Sequence, residues 1–230
     1  MMERPFAARR KTDGLYLVTD RSLCGRRSLE EVVSMAVKGG AAWVQLREKD
    51  LATRLFVEAA RRLKAFLFPL GVPLIINDRL DVVLASEADG IHIGQEDMPY
   101  EMARRLLGPK AIIGLSVESW EDVVQAQSLD VDYLGVSPVF ATPTKMDTKE
   151  PWGLEGLARI RAFSRHFLVA IGGISHENAG SVILAGADRI AVVSAICAAS
   201  DPFRAARDLC HDIVEAQEKA EPSGTQRERP

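Results

Sequence analysis

Short apolar runs, many of them β-branched, recur along the chain, and each is followed by a longer segment whose apolar positions return every three to four residues. The short runs are LYLVT from Leu15, WVQL from Trp43, PLIIN from Pro73, GIHIG from Gly90, AIIGLS from Ala111, YLGVSPV from Tyr133, FLVAIGG from Phe167 and RIAVVS from Arg189. Most are continuous rather than alternating, as a parallel strand covered on both faces requires. The segments between them predict helices with readable ends. In SLEEVVSMAVKGG, Ser28 caps the helix, Glu31 closes a capping box, Leu29, Val32, Val33, Ala36 and Val37 share one face, and Gly39 ends it. Further helices are predicted at Ala52–Phe68, Leu80–Ser86, Pro99–Leu107, Trp120–Ser128, Leu154–Arg165, Asn178–Ala185 and Pro202–Glu218.

Eight strands thus alternate with eight helices at about 25 residues per unit, which predicts a single-domain α/β TIM (β/α)8 barrel over residues 12–219. Residues 1–11 and 220–230 are polar and aperiodic and are expected to be flexible tails. A doubly wound open sheet is the rival. It would carry a nucleotide loop after its first strand, and LYLVTDRSLCG holds neither GxGxxG nor GxxxxGK[ST].

Composition narrows the function. The 230 residues are 47% hydrophobic, enough for a large core, and the formal net charge of −3 provides no global basic field for nucleic acid or anionic lipid. Cys24, Cys197 and Cys210 form no CxxC pair and read as buried thiols of a reducing compartment, and the four histidines lack zinc spacing. No run of about 18 apolar residues occurs, so a cytoplasmic protein without a membrane partner is expected. Homodimerisation through exposed barrel faces stays open.

In a barrel, the chemistry belongs at the C-terminal strand ends. Those ends are QLREKD, INDR, IGQED, GLS, VFATPTK, IGGIS and AVVSA, as polar as the strands are apolar. Arg47 and Lys49 follow Gln45 with strand period and point one way, and Lys145 comes from the long stretch starting at Val139. Converging cations suit phosphate or pyrophosphate. Asp78 and Asp97 end neighbouring strands and offer two hard carboxylates, the kind of set that holds Mg2+ together with substrate phosphate; taken alone, Asp97 favours a helix cap before Met98-Pro99, and paired with Asp78 and the cations it favours metal. Gly172-Gly173 and Ser194, after strands seven and eight, lie where this fold often binds phosphate, with SAICAA able to supply a short helix.

QLREKD, INDR, HIGQED, GLSV, PVFATPTK, GLEGL, AIGGI and AVVSAI, in that order, resemble the thiamine-phosphate synthase (thiamine-phosphate pyrophosphorylase) family over nearly the whole chain. The resemblance implies a transferase that displaces pyrophosphate from 4-amino-5-hydroxymethyl-2-methylpyrimidine diphosphate with the nitrogen of a hydroxyethylthiazole phosphate, or its carboxylated form. It implies that Gln45, Leu46, Arg47, Glu48, Lys49 and Asn77 hold the pyrimidine diphosphate, with Ser116 near the diphosphate. Asp78 and Asp97 become the Mg2+ ligands, and Thr142, Pro143 and Thr144 the thiazole loop. Lys145 falls on the leaving group, and Gly173, Val193 and Ser194 on the thiazole's phosphate. Arg47, Lys49, Ser116 and Lys145 would carry the chemistry. A dissociative displacement needs charge stabilisation rather than a poised acid or base, so no histidine is expected to be poised for the chemistry.

A thiazole tautomerase of the same barrel would be expected to carry a histidine after strand five, where this chain has SVES and Glu118. A non-catalytic phosphate binder would leave the polar ends of strands two to four without a role, and a generic isomerase would want a paired acid and base.

Overall fold

The structure, a computed structural model, describes residues 14–142 and 150–220. Eight parallel strands close into a barrel in sequence order: β1 Leu15–Val18, β2 Trp43–Leu46, β3 Leu74–Asn77, β4 Gly90–Ile93, β5 Ile112–Val117, β6 Tyr133–Val136, β7 Leu168–Ile171 and β8 Arg189–Val192. Closure comes from β1 pairing with β8 through Leu15↔Ile190, Tyr16↔Ala191 and Leu17↔Val192. The expected fold is therefore the observed one. The expected tails, at residues 1–11 and beyond 220, lie outside the described residues.

Because side chains alternate along a strand, closure sorts each run into two populations. Tyr16, Val18, Trp43, Ile75, Ile112, Tyr133, Val169 and Ala191 fill the barrel interior. Leu15, Leu17, Val44, Leu46, Leu74, Ile76, Ile113 and Val192 face outward into the larger core beneath the helices. At the lower end of the interior Arg189, 1% exposed, lies 4.4 Å from the centre of the Trp43 ring and 5.6 Å from that of Phe167, so its charge is shared with two aromatic faces.

The helix ends follow the chain's own signals. Ser28 Oγ accepts from the Glu31 N–H at 3.1 Å while Glu31 accepts from the Ser28 N–H at 2.7 Å, the predicted capping box. Gly39 ends that helix in right-handed backbone. Its role is contact: an added Cβ would meet the Phe203 carbonyl at 2.4 Å, where helix Pro202–Ala220 crosses. Pro99 sits one residue earlier than predicted, as the residue before helix Tyr100–Leu107. The helix expected over Leu154–Arg165 runs Gly153–Phe163, because Ser164 is extended and its N–H closes on Ile160.

One device repeats on the face opposite the strand C-termini. Asp89, Asp132 and Asp188, each just before an even-numbered strand, accept from the backbone N–H of Leu74, Ile113 and Leu168 at 2.9, 2.8 and 2.7 Å. Each also ion-pairs, at 2.8 Å, with a helix residue, Lys64, Arg104 or Arg161 respectively. The carboxylates thereby pin helices to the sheet in successive pairs of units. The Asp132 side chain is the most buried, at 4% exposure. Asp132→Ala leaves Arg104 and a strand N–H without their carboxylate, and a loss of about 3 kcal/mol is expected in urea unfolding. Turnover under stabilising conditions should stay close to that of the parent, because the site lies at the other end of the barrel.

Candidate active site

The C-terminal strand ends surround a cleft of about 840 Å³. From β2, Gln45, Arg47 and Lys49 line it, as their shared parity predicts. Arg47 is held in place: its N–H donates to Thr19 Oγ1 at 3.1 Å, and its guanidinium lies 3.9 Å from Asp20. The side chains of the two residues of opposite parity do not follow them. Leu46 is fully buried in the outer core, and Glu48 turns away to an ion pair with Arg21 at 2.7 Å, so neither side chain reaches the cleft. Strand alternation is the reason.

Asn77 and Asp78 are consecutive, yet both line the cleft. Asp78 escapes alternation because its backbone is left-handed, φ 62°, with its N–H donating to the His92 carbonyl at 2.9 Å. Asp97 also lines the cleft. Its Oδ2 accepts from the Gly94 N–H at 2.7 Å, and the following helix has no side-chain cap, so the capping reading of Asp97 does not hold. Among the described residues no group of three or more His, Cys, Asp or Glu could hold a metal ion. Two carboxylates suit Mg2+, which keeps waters and takes substrate oxygens, far better than they suit zinc.

Across the mouth, Gly172, Gly173, Val193, Ser194 and Ala195 form the opposite wall. Gly173 has φ 63°, and an added Cβ would lie 2.8 Å from both the Ala141 carbonyl oxygen and Phe140 Cβ, so only glycine lets the β6 loop approach this closely. The predicted short helix is present at Ser194–Cys197. The β6 loop leaves the sheet paired to β7 through Val139 N–H to Ile171 O and Phe140 N–H to Gly172 O, both about 3 Å. It returns through Trp152 N–H to Pro138 O and Gly153 N–H to Val139 O. Thr142 thereby reaches the cleft. Pro143, Thr144 and Lys145 lie outside the described residues.

The floor of the cleft holds three residues that the strand-end reading missed, Tyr16, His92 and Tyr133. The Gln45 amide donates to Tyr16 OH at 2.9 Å, and Tyr16 OH meets Tyr133 OH at 3.1 Å. Tyr133 OH meets His92 Nδ1 at 3.0 Å, and His92 Nε2 meets Ser116 Oγ at 2.9 Å. Burial drives both phenols far above their ordinary pKa, so both stay neutral. A histidine thus lines the cleft, with both ring nitrogens engaged. Period two applied to GIHIG would have found it, a polar residue between inward-facing glycines.

Room for this floor comes from missing side chains. A Cβ on Gly114 would lie 2.0 Å from Tyr133 Cζ, and one on Gly135 would lie 2.8 Å from His92 Cε1. Opposite parity is free to carry Leu115 and Leu134, which pack outward.

Fold and cleft together define a (β/α)8 barrel whose mouth pairs cations and hard carboxylates on one wall with a glycine-lined wall on the other. A family model described as thiamine monophosphate synthase matches residues 15–196. The chain is 60% identical over 195 residues to a thiamine-phosphate synthase of Albidiferax ferrireducens, covering 85% of this chain and 89% of that protein. It is 55% identical over 199 residues to one from Leptospira biflexa, covering 85% and 95%. A solved thiamine phosphate pyrophosphorylase from Pyrococcus furiosus superposes with a TM-score of 0.81 at 38% identity, covering 90% of this chain and 98% of the other. The chain belongs to the thiamine monophosphate synthase family.

Gly114→Ala is expected to displace Tyr133 and cost about 1–3 kcal/mol through overpacking, read as a lower denaturation midpoint. An unchanged midpoint and unchanged near-ultraviolet tyrosine signal would contradict the packing described.

Proposed function

We propose that this chain is a thiamine-phosphate synthase that joins 4-amino-5-hydroxymethyl-2-methylpyrimidine diphosphate to hydroxyethylthiazole phosphate, or its carboxylated form, releasing thiamine phosphate and pyrophosphate. One observation carries the reading: Arg47, Lys49, Asn77, Asp78, Asp97 and Ser116 meet Thr142, Gly173 and Ser194 around a single cleft of about 840 Å³. That volume suits two phosphorylated heterocycles side by side.

In this reaction the methylene carbon–oxygen bond to diphosphate breaks and a carbon–nitrogen bond to the thiazole forms. Negative charge grows on the leaving oxygens, so the useful groups are fixed donors aimed there. Arg47, anchored at Thr19 and Asp20, and Lys49 would supply them, and Lys145 would share that role. Asp78 and Asp97 would hold Mg2+, which when bound adds positive charge beside the diphosphate. Gly173 and Ser194 would hold the thiazole's phosphate at the opposite wall, presenting the ring nitrogen toward the methylene. Glu118 lines the cleft where a tautomerase would be expected to carry histidine, and both aspartates are present, so the transferase is preferred. A cytoplasmic setting belongs to the same proposal, supported by three cysteines that form no disulfide; among the described residues no helix is long and apolar enough to cross a membrane.

Purified protein mixed with both substrates and Mg2+ should form thiamine phosphate and pyrophosphate in equal amounts, and EDTA should stop it. Asp78→Ala and Lys145→Ala should each lower turnover by about 100-fold or more with an unchanged circular dichroism spectrum. Tight binding of thiazole phosphate without product would instead favour a non-catalytic binder or tautomerase.

A further inference from the structure

With the Gln45 amide turned so that Nε2 faces Tyr16, the floor chain from Gln45 to Ser116 has one direction, which follows from counting protons. The Gln45 Nε2 group only donates, so Tyr16 oxygen accepts. Tyr16 then has one proton to give, and its remaining partner is Tyr133 OH at 3.1 Å. Tyr133 in turn gives its proton to His92 Nδ1, 3.0 Å away. A neutral imidazole that accepts at Nδ1 carries its proton on Nε2, which then donates to Ser116 Oγ at 2.9 Å. The Ser116 proton is left to point into the cleft that Ser116 lines. The opposite order would leave the Tyr16 proton facing an N–H in a fully buried setting, at the cost of an unsatisfied donor. The phenols stay protonated throughout, because burial raises both.

At the other end, Gln45 Oε1 has no hydrogen-bond partner among the described residues and is not sealed from solvent. The two ends of the chain therefore show the cleft opposite polarity, an acceptor at Gln45 and a donor at Ser116. They are also coupled. Turning the Gln45 amide over would reverse every bond along the chain and exchange the two ends.

We infer that Tyr16, Tyr133 and His92 are positioning residues that couple Gln45 as acceptor to Ser116 as donor, so that the cleft selects a planar heterocycle carrying an amino donor and an acceptor atom. This rests on the proposed pyrimidine diphosphate substrate, whose exocyclic amine supplies the donor. The acceptor facing Ser116 is a ring nitrogen or a phosphoryl oxygen. An oxo analogue, with a carbonyl in place of the amine, meets Gln45 acceptor to acceptor and is disfavoured.

Two measurements on the full-length chain test it. The first is the ¹⁵N spectrum of the histidine rings without substrate, with His92 assigned by its loss in His92→Gln. A protonated Nε2 and an unprotonated Nδ1 are expected; a protonated Nδ1 on the neutral ring overturns the inference whether or not the protein makes thiamine phosphate. The second is kinetic. Tyr133→Phe should lower kcat/KM for the pyrimidine diphosphate about tenfold in the parent, the size of one hydrogen bond. In a Ser116→Ala background it should change kcat/KM less than about twofold, because its effect passes through Ser116. Equal losses in both backgrounds would make Tyr133 merely structural and overturn the coupling. If Tyr133→Phe fails to fold, Tyr16→Phe breaks the same chain at its first link and takes its place in the cycle. Replacing pyrimidine diphosphate with its 4-oxo analogue should cost at least tenfold in the parent. The gap should shrink in Gln45→Ala; a gap unchanged in that variant would refute the selection.

Discussion

Closure of β1 onto β8 is the constraint on which the rest of this molecule depends. Once the ends of the sheet pair through Tyr16↔Ala191, each strand residue is committed to the interior or to the helix side. The apolar runs lose their ambiguity at that point: Leu15, Leu17 and Val44 go outward, and Tyr16, Val18 and Trp43 go inward. The same parity delivers Gln45, Arg47 and Lys49 to the mouth together and sends Leu46 and Glu48 away from it.

The two ends of the barrel solve different electrostatic problems. At the lower end Asp89, Asp132 and Asp188 have their charges satisfied by backbone N–H groups and helix cations, so they serve stability. At the upper end Asp78 and Asp97 line the cleft together with Arg47 and Lys49. A chain of formal net charge −3 thus keeps two cations, Arg47 and Lys49, at a cleft that Asp78, Glu96, Asp97 and Glu118 also line. Between the two ends the interior is polar enough to carry Gln45, Tyr16, Tyr133, His92 and Ser116 in one connected set. It is tight enough that Gly114 and Gly135 cannot take a Cβ without moving them.

Much of the fold was legible in the chain because its signals are local. Continuous apolar runs, the Ser28 capping box and the spacing of β/α units depend on neighbours within a few residues, and they located every strand and most helix ends. The cleft-lining cations and acids were legible for a related reason, since polar residues at strand ends have one destination in this fold. Asp97 was ambiguous because capping and metal binding ask for the same carboxylate, and the structure removes the cap, since Oδ2 accepts from the Gly94 N–H instead.

What the sequence determined by itself was the barrel, its family and the location of its charged mouth, because those rest on periodicity and on motifs in order. Tertiary structure alone decided which residues of a motif face the cleft, that Asp78 escapes alternation through a left-handed backbone, and that Tyr16, Tyr133 and His92 meet beneath it. Those three come from β1, β6 and β4, and no local pattern links residues 117 positions apart. Their contact exists only once the sheet has closed and its inward glycines have made the space.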